Sequence, residues 1–91
     1  MNNLRVWHIP QVPMSNPFYV TVKSPEEAIK VLKLLWSYDD YQFRNRIKPD
    51  YSNASGLEEQ FLDREWEEWY HPELDCDILE YIEILEDSND L

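Results

Sequence analysis

The stretch "FYVTVKSPEEAIKVLKLLWSY", from Phe18 to Tyr38, changes its hydrophobic period partway along and decides the fold. Its first six residues alternate between apolar and more polar side chains, which is typical of a half-buried strand. A helix-start signal follows at once, because Ser24 can cap a helix, Pro25 suits the first helical position and Glu27 stands where a capping box needs a carboxylate. A strand joined so closely to a helix predicts a helix that packs on a sheet.

The helix after Ser24 is predicted to be amphipathic and to end near Tyr38, before two consecutive aspartates. Its apolar residues recur at helical spacing, so they share one face and are expected to meet the sheet. That face consists of Ala28, Val31, Leu32, Leu35 and Trp36.

Three more segments alternate in the manner of strands. Leu4 to Ile9 predicts the first strand of the chain. "YQFRNRIK", from Tyr41 to Lys48, predicts a third strand with a basic outer face. "LEEQFLDREWEEWY", from Leu57 to Tyr70, predicts a hairpin that turns at Asp63 and Arg64.

Two further features concern the second half of the chain. The loop 49–56 ends at Gly56, the one glycine of the sequence, which indicates either a positive φ angle or a close backbone approach. From Pro72 onward the period is helical again, and the last few residues are expected to be frayed. The apolar stripe of this second helix comprises Leu74, Ile78, Ile82 and Leu85.

These segments together predict a single α+β domain over residues 1–91. We expect a mainly antiparallel sheet of about 4–5 strands with helices on one face. The predicted order of elements is β-β-α-β-β-β-α, with two helices.

Charge is distributed very unevenly along the chain. The 91 residues carry a net charge of −11, yet residues 1–56 have a net charge of +2 and residues 57–91 a net charge of −13. Such a field repels nucleic acid and anionic lipid and attracts basic protein surfaces. No apolar run reaches the roughly 18 residues of a membrane helix, and a single cysteine excludes an internal disulfide. We therefore expect a soluble intracellular protein that binds neither membrane nor nucleic acid directly.

The acidic half has two interpretations. It is either a solvated face that keeps the protein soluble, or a surface that imitates the phosphates of DNA. Carboxylates three or four residues apart on a helix lie about 5–6 Å from one another, comparable to successive backbone phosphates. Under the second interpretation the partner-binding residues are Glu65, Glu67, Glu68, Asp77, Glu80, Glu83 and Asp87.

The basic residues of the predicted third strand offer an alternative. Arg44, Arg46 and Lys48, with Tyr51 nearby, would form the site of a small-ligand or nucleotide sponge. The simpler interpretation is that these cations pair with the protein's own hairpin carboxylates across neighbouring strands, or face water.

Neither metal binding nor catalysis is indicated. His71, Asp75, Cys76 and Asp77 are suitable zinc ligands by type, but their spacing matches no closed zinc pattern. No phosphate-binding glycine loop, nucleophile motif or distinct carboxylate pair is present in the sequence. We expect a protein that is not an enzyme and that uses no cofactor or metal.

Four stretches of the chain carry a resemblance to a known family. They are "IPQVPM" (Ile9–Met14), "FYVTVKSPEEA" (Phe18–Ala28), "YDDYQFRNRIKPDYSNASGLE" (Tyr38–Glu58) and "EWEEWY" (Glu65–Tyr70). In this order they resemble small acidic bacteriophage and prophage proteins that are often labelled superinfection exclusion proteins. The resemblance implies a phage-encoded protein that acts in the cytoplasm of an infected bacterium, where inhibitors of defence nucleases are common. It favours a binding function, indicates no particular target and brings no catalytic or ligand residues. The charge of the acidic half, and not the resemblance, predicts a partner with a basic surface, namely a host protein that handles nucleic acid.

Overall fold

The protein is an α+β domain with a four-stranded antiparallel sheet, which confirms the predicted fold class. The computed structural model describes residues 3–9, 16–45 and 54–88. The strand order in the sheet is β2-β1-β3-β4. The elements are β1 (Asn3–Ile9), β2 (Phe18–Val22), α1 (Pro25–Arg44), β3 (Ala54–Gln60), β4 (Glu67–Glu68) and α2 (Ile78–Ser88).

One face of the sheet carries the hydrophobic core. Burial alternates along β1, so Leu4, Val6 and His8 point to one face and their neighbours to the other. Val6 lies opposite Val20 of β2 and Leu57 of β3. Both helices pack on this face, and the buried cluster consists of Leu4, Val6, Val22, Ala28, Leu32, Leu57, Trp69, Ile78 and Ile82.

Helix α1 begins as the sequence predicts. The Ser24 hydroxyl accepts a hydrogen bond from the Glu27 amide at 3.1 Å. The Glu27 carboxylate in turn accepts from the Lys23 amide at 3.3 Å, one residue before the cap. Pro25 occupies the first turn, where its missing N–H costs nothing. These contacts fix the point at which the chain leaves β2.

The predicted end of α1 is wrong, and so is the start of the predicted third strand. The helix continues past Tyr38 to Arg44, so residues 41–44 are helical, while 46–48 lie outside the described residues. Asp39 does not stop the helix because it is an inward-facing residue, 2% exposed and bonded to His8. Tyr41 is 56% exposed and stacks on Tyr38 along the helix surface, which explains its misleading alternation.

Gly56 lies in β3 and not at the end of a loop. Strand β3 starts at Ala54, and Gly56 has no positive φ angle. The other predicted reason for glycine is confirmed, because a Cβ atom there would lie 2.5 Å from Nε1 of Trp7 on the neighbouring strand. The indole therefore covers the glycine backbone, an arrangement known to support glycines within sheets.

The predicted hairpin is confirmed, with β3 and β4 antiparallel and the turn between them. Leu62 adopts a φ angle of 55° in this turn, and the Arg64 amide donates to the Phe61 carbonyl at 3.2 Å. The backbone of Trp69 continues the pairing by donating to the Leu57 carbonyl at 2.9 Å.

Helix α2 starts at Ile78, later than the predicted start near Pro72. A turn precedes it, closed by hydrogen bonds from the Asp75 amide to the His71 carbonyl (2.9 Å) and from the His71 amide to the Cys76 carbonyl (2.8 Å). Leu74 is 49% exposed in this turn and does not belong to the apolar stripe. No helix in the described part of the chain is long and apolar enough to cross a membrane.

Candidate functional site

We use the name acidic surface for the seven carboxylates that the sequence singles out. Six of them are exposed and Asp77 is half-buried. Within the described ranges, none of the seven forms an ion pair with a Lys or Arg side chain. The acidic surface consists of Glu65, Glu67, Glu68, Asp77, Glu80, Glu83 and Asp87.

The helical part of the acidic surface is held by the core beneath it. Ile78 and Ile82 are 1% and 5% exposed and fix the opposite face of α2. Glu80, Glu83 and Asp87 are exposed at intervals of three and four residues, so they form a row about 10 Å long. The row is anchored as a rigid element and is not a flexible tail.

Asp77 has a different role from the other helical acids. Its Oδ1 accepts a hydrogen bond from the Glu80 amide at 2.9 Å, which makes it the N-terminal cap of α2. A carboxylate there also interacts favourably with the helix dipole. Asp77 therefore stabilises the helix, whatever it contributes to a partner.

The hairpin part of the acidic surface contains like charges in direct opposition. The register places Glu58 opposite Glu68 and Glu59 opposite Glu67. Like charges at such positions destabilise an antiparallel pair. Because neighbouring side chains in a strand point to opposite faces, Glu67 lies on the helix side and Glu68 on the other side. Of the two residues of β4, only Glu67 therefore extends the acidic row on the helix side.

We expect Glu67→Thr to stabilise the fold by about 0.5–1 kcal/mol, because it removes one repulsive cross-strand pair and adds a β-branched residue. Urea denaturation measures the gain, which should shrink as salt is added. Glu73→Thr is the matched control, since Glu73 is an exposed acid in the turn before α2 and has no cross-strand neighbour. An equal gain in both variants would show that only net charge matters.

Arg5 partly compensates the charge on the outer face of the sheet. Its Nε lies 2.8 Å from Oε1 of Glu58. Its guanidinium also lies 3.9 Å from the ring centroid of Tyr19 and 4.1 Å from that of Trp66. The stack joins β2, β1 and the hairpin across the sheet. Sequence reasoning missed this role, although the alternation of β1 already directs Arg5 away from the buried Leu4 and Val6.

The Tyr70 phenol lies in the negative potential of the carboxylates around β4. Its hydroxyl donates a hydrogen bond to Oε2 of Glu68 at 3.2 Å. This bond and the charge of Glu68 raise the pKa of the Tyr70 phenol, with smaller contributions from burial, Asp77 and Asp75. The carboxylates of the hairpin and of the turn before α2 thus act together on one side chain.

The alternative basic site is not assembled by the described residues. Arg44 lies in the last turn of α1, and its Nε is 2.9 Å from Oδ2 of Asp40. Arg44 therefore pairs within its own helix and not with a hairpin carboxylate across neighbouring strands, as the simpler interpretation expected. Arg46, Lys48 and Tyr51 lie outside the described residues.

The residues considered as zinc ligands are engaged in other contacts. Nδ1 of His71 accepts hydrogen bonds from the Glu73 and Leu74 amides, each at 3.1 Å. Cys76 is buried, and burial raises the pKa of its thiol, with further contributions from the charges of Glu80 and Asp77. No group of three or more His, Cys, Asp or Glu side chains within the described ranges is arranged to hold a metal ion.

The core contains a buried polar network that the sequence analysis did not predict. Nδ1 of His8 lies 2.7 Å from Oγ of Ser55, and Nε2 of His8 lies 2.7 Å from Oδ2 of Asp39. Nε1 of Trp36 also donates to Oγ of Ser55 at 3.1 Å. These hydrogen bonds connect β1, β3 and α1. The alternation of β1 could have indicated a buried His8, because it places His8 on the same face as the core residues Leu4 and Val6.

The network contains a serine, a histidine and an aspartate, yet its arrangement does not favour catalysis. A cavity of about 370 Å³ beside it is bordered by His8 and Asp39 but, among the described residues, not by Ser55. Ser55 is 8% exposed, and its hydroxyl accepts the Trp36 hydrogen bond. A nucleophile must reach its substrate, so we interpret this network as structural.

Comparison with known proteins identifies the family. The sequence model described as "Superinfection exclusion gene product 17" matches residues 3–88. The chain is also 46% identical over 99 aligned residues to the "Superinfection exclusion protein" of Salmonella phage P22, and the alignment covers 93% of this chain and 94% of that protein. No solved structure matches the chain. These matches confirm the resemblance seen in the sequence: the chain belongs to the superinfection exclusion gene product 17 family.

Proposed function

We propose that this chain is a phage superinfection exclusion protein that acts by binding, without catalysis, in the cytoplasm of the infected bacterium. Its partner is a basic host or competitor protein that handles nucleic acid, and its acidic surface takes the place of DNA on that partner. The name of the phage P22 relative supports the exclusion function. The acidic surface supports the mode of action.

The observation that carries the proposal is the direct opposition of two pairs of glutamates in the hairpin. Glu58 faces Glu68 and Glu59 faces Glu67 across two adjacent strands. Opposed like charges lower stability, an effect that the Arg5–Glu58 ion pair offsets on the outer face. A protein that needs charge only for solubility has many exposed positions without that cost. Stability is commonly given up where a residue serves function. The hairpin charges are therefore better explained by a partner.

The geometry of α2 supports mimicry of a phosphate backbone. Glu80, Glu83 and Asp87 are presented on one rigid, exposed row. Their spacing of about 5–6 Å resembles that of successive phosphates. A row of fixed charges speeds association with a basic groove and releases the counterions bound there.

We expect the immobilised chain to recover a basic nucleic-acid-handling protein from bacterial lysate at low salt and to lose it as salt is raised, because exposed charge contacts are screened. Adding double-stranded DNA should release the same protein, since both would occupy one groove. The recovered protein is identified by mass spectrometry.

An immobilised acidic protein of unrelated fold serves as the control for simple charge attraction. If neither salt nor DNA changes the amount of partner recovered, the DNA-mimic mode is wrong. This holds even where the chain still prevents infection of cells by a second phage.

A further inference from the structure

The two edges of the sheet differ in how they are protected. Strand β4 forms one edge and consists of Glu67 and Glu68 alone. A very short, charged edge strand discourages pairing with another chain. Strand β2 forms the other edge, and none of the described strands pairs with its outer side.

Strand β2 itself carries none of the charged side chains or prolines that usually protect an edge, although Pro17 and Lys23 flank it. Residues 18–22 contain no charged side chain, and all five are extended, with N–H and C=O groups along the outer side. Phe18 and Tyr19 are 54% and 46% exposed. An uncharged, aromatic edge of this kind is suited to adding a further strand.

We propose that β2 pairs with β2 of a second copy of this chain, antiparallel and about a twofold axis at Val20. This register overlaps the whole strand, so Val20 lies opposite its own copy and Phe18 lies opposite Val22. Phe18, Val20 and Val22 share the helix side of the sheet in each copy, which brings apolar side chains together. The result is a continuous sheet of twice four strands, with all helices on one face.

The distribution of charge favours a second copy as the occupant. Residues 57–91 carry a net charge of −13, and the described residues among them form most of the hairpin and α2, on the side of the sheet away from β2. Pairing through β2 separates the two β4 strands by seven strand intervals, or about 33 Å. This distance exceeds the Debye length of about 8 Å at physiological salt, so the two acidic surfaces scarcely repel each other. Any contact through β4 would instead bring them together.

The pairing does not depend on the proposed partner, but it would make the protein bivalent. The two acidic surfaces would lie at opposite ends of one assembly. A partner with two basic grooves at a suitable distance would then bind more tightly than one acidic surface allows.

Sedimentation velocity over a range of concentrations tests the proposal. The unaltered chain should reach twice its monomer mass of 11.1 kDa. Phe18→Lys should weaken the dimer at least about tenfold, because it places a charge against the apolar side of the partner strand. Phe61→Lys is the matched control, since Phe61 is 50% exposed in the hairpin turn at the other edge, and it should leave the dimer intact.

Cross-linking tests the register. Residues directly opposite in an antiparallel pair have Cα atoms about 4.5–5.5 Å apart, within the range of a disulfide. In a Cys76→Ala background, Val20→Cys should therefore form a covalent dimer on mild oxidation, and Ser37→Cys, on the exposed surface of α1, should not. The proposal is overturned by a chain that stays monomeric at every concentration, or by a dimer that persists in Phe18→Lys and resists cross-linking at Val20.

Discussion

Replacing Glu67, Glu80 and Glu83 with lysine is expected to abolish exclusion of a second phage and recovery of the partner protein. All three side chains are exposed, so the fold should survive. At the interface proposed above, each reversal would turn an attractive contact into a repulsive one, and like charges at an interface cost several kcal/mol. A combined loss of about 3 kcal/mol or more weakens binding at least about a hundredfold.

The measurements are the plating efficiency of challenge phages on cells that express the variant, and binding to the partner identified by pull-down. The matched control reverses three other exposed acids, Glu26, Asp63 and Glu73, and changes the net charge from −11 to −5 in the same way. The control should keep its activity. Equal loss in both variants, or none in either, contradicts a defined acidic surface.

Asp39→Ala is expected to destabilise the fold by about 2–4 kcal/mol. The change removes the buried acceptor that lies 2.7 Å from Nε2 of His8. A buried polar group left without its partner loses the hydrogen bond and keeps the cost of its removal from water. The free energy of unfolding of a small domain is only about 5–15 kcal/mol, so this single change should remove a large part of it.

Urea denaturation followed by far-ultraviolet circular dichroism measures the loss. Asp39→Asn is the control, because its amide oxygen can still accept from His8 at nearly the same volume. It should cost clearly less than alanine. A similar, small effect of both substitutions would show that the network through His8 and Ser55 contributes little to stability.

Local signals predicted the parts of the fold that depend on neighbours in sequence. Ser24 caps α1 as expected, while the Glu27 carboxylate bonds to the Lys23 amide and not to the amide of the cap residue. The end of α1 was not predictable in this way. Asp39 by itself favours the end of a helix, and its stabilising partner, His8, lies 31 residues away in the sequence. The alternation of apolar and polar residues near Tyr41 favoured a strand, whereas tertiary contacts stabilise a helix there.

The residues of the acidic surface were identifiable from charge, but their mutual arrangement was not. The opposition of Glu67 to Glu59 depends on the register of the hairpin, which a turn containing Leu62 at a positive φ angle helps to set. Likewise, the late start of α2 makes Asp77 a cap. Sequence spacing alone gave Asp77 the same role as Glu80.

The contact between Trp7 and Gly56 links the evolutionary histories of two positions that are far apart in sequence. Even one methyl group on residue 56 would collide with the indole, at 2.5 Å from its nitrogen. A lineage that acquires a larger residue at position 56 must therefore exchange Trp7 for a smaller side chain, or turn the ring away. Substitutions at positions 7 and 56 are therefore expected to be tolerated only in compensating pairs.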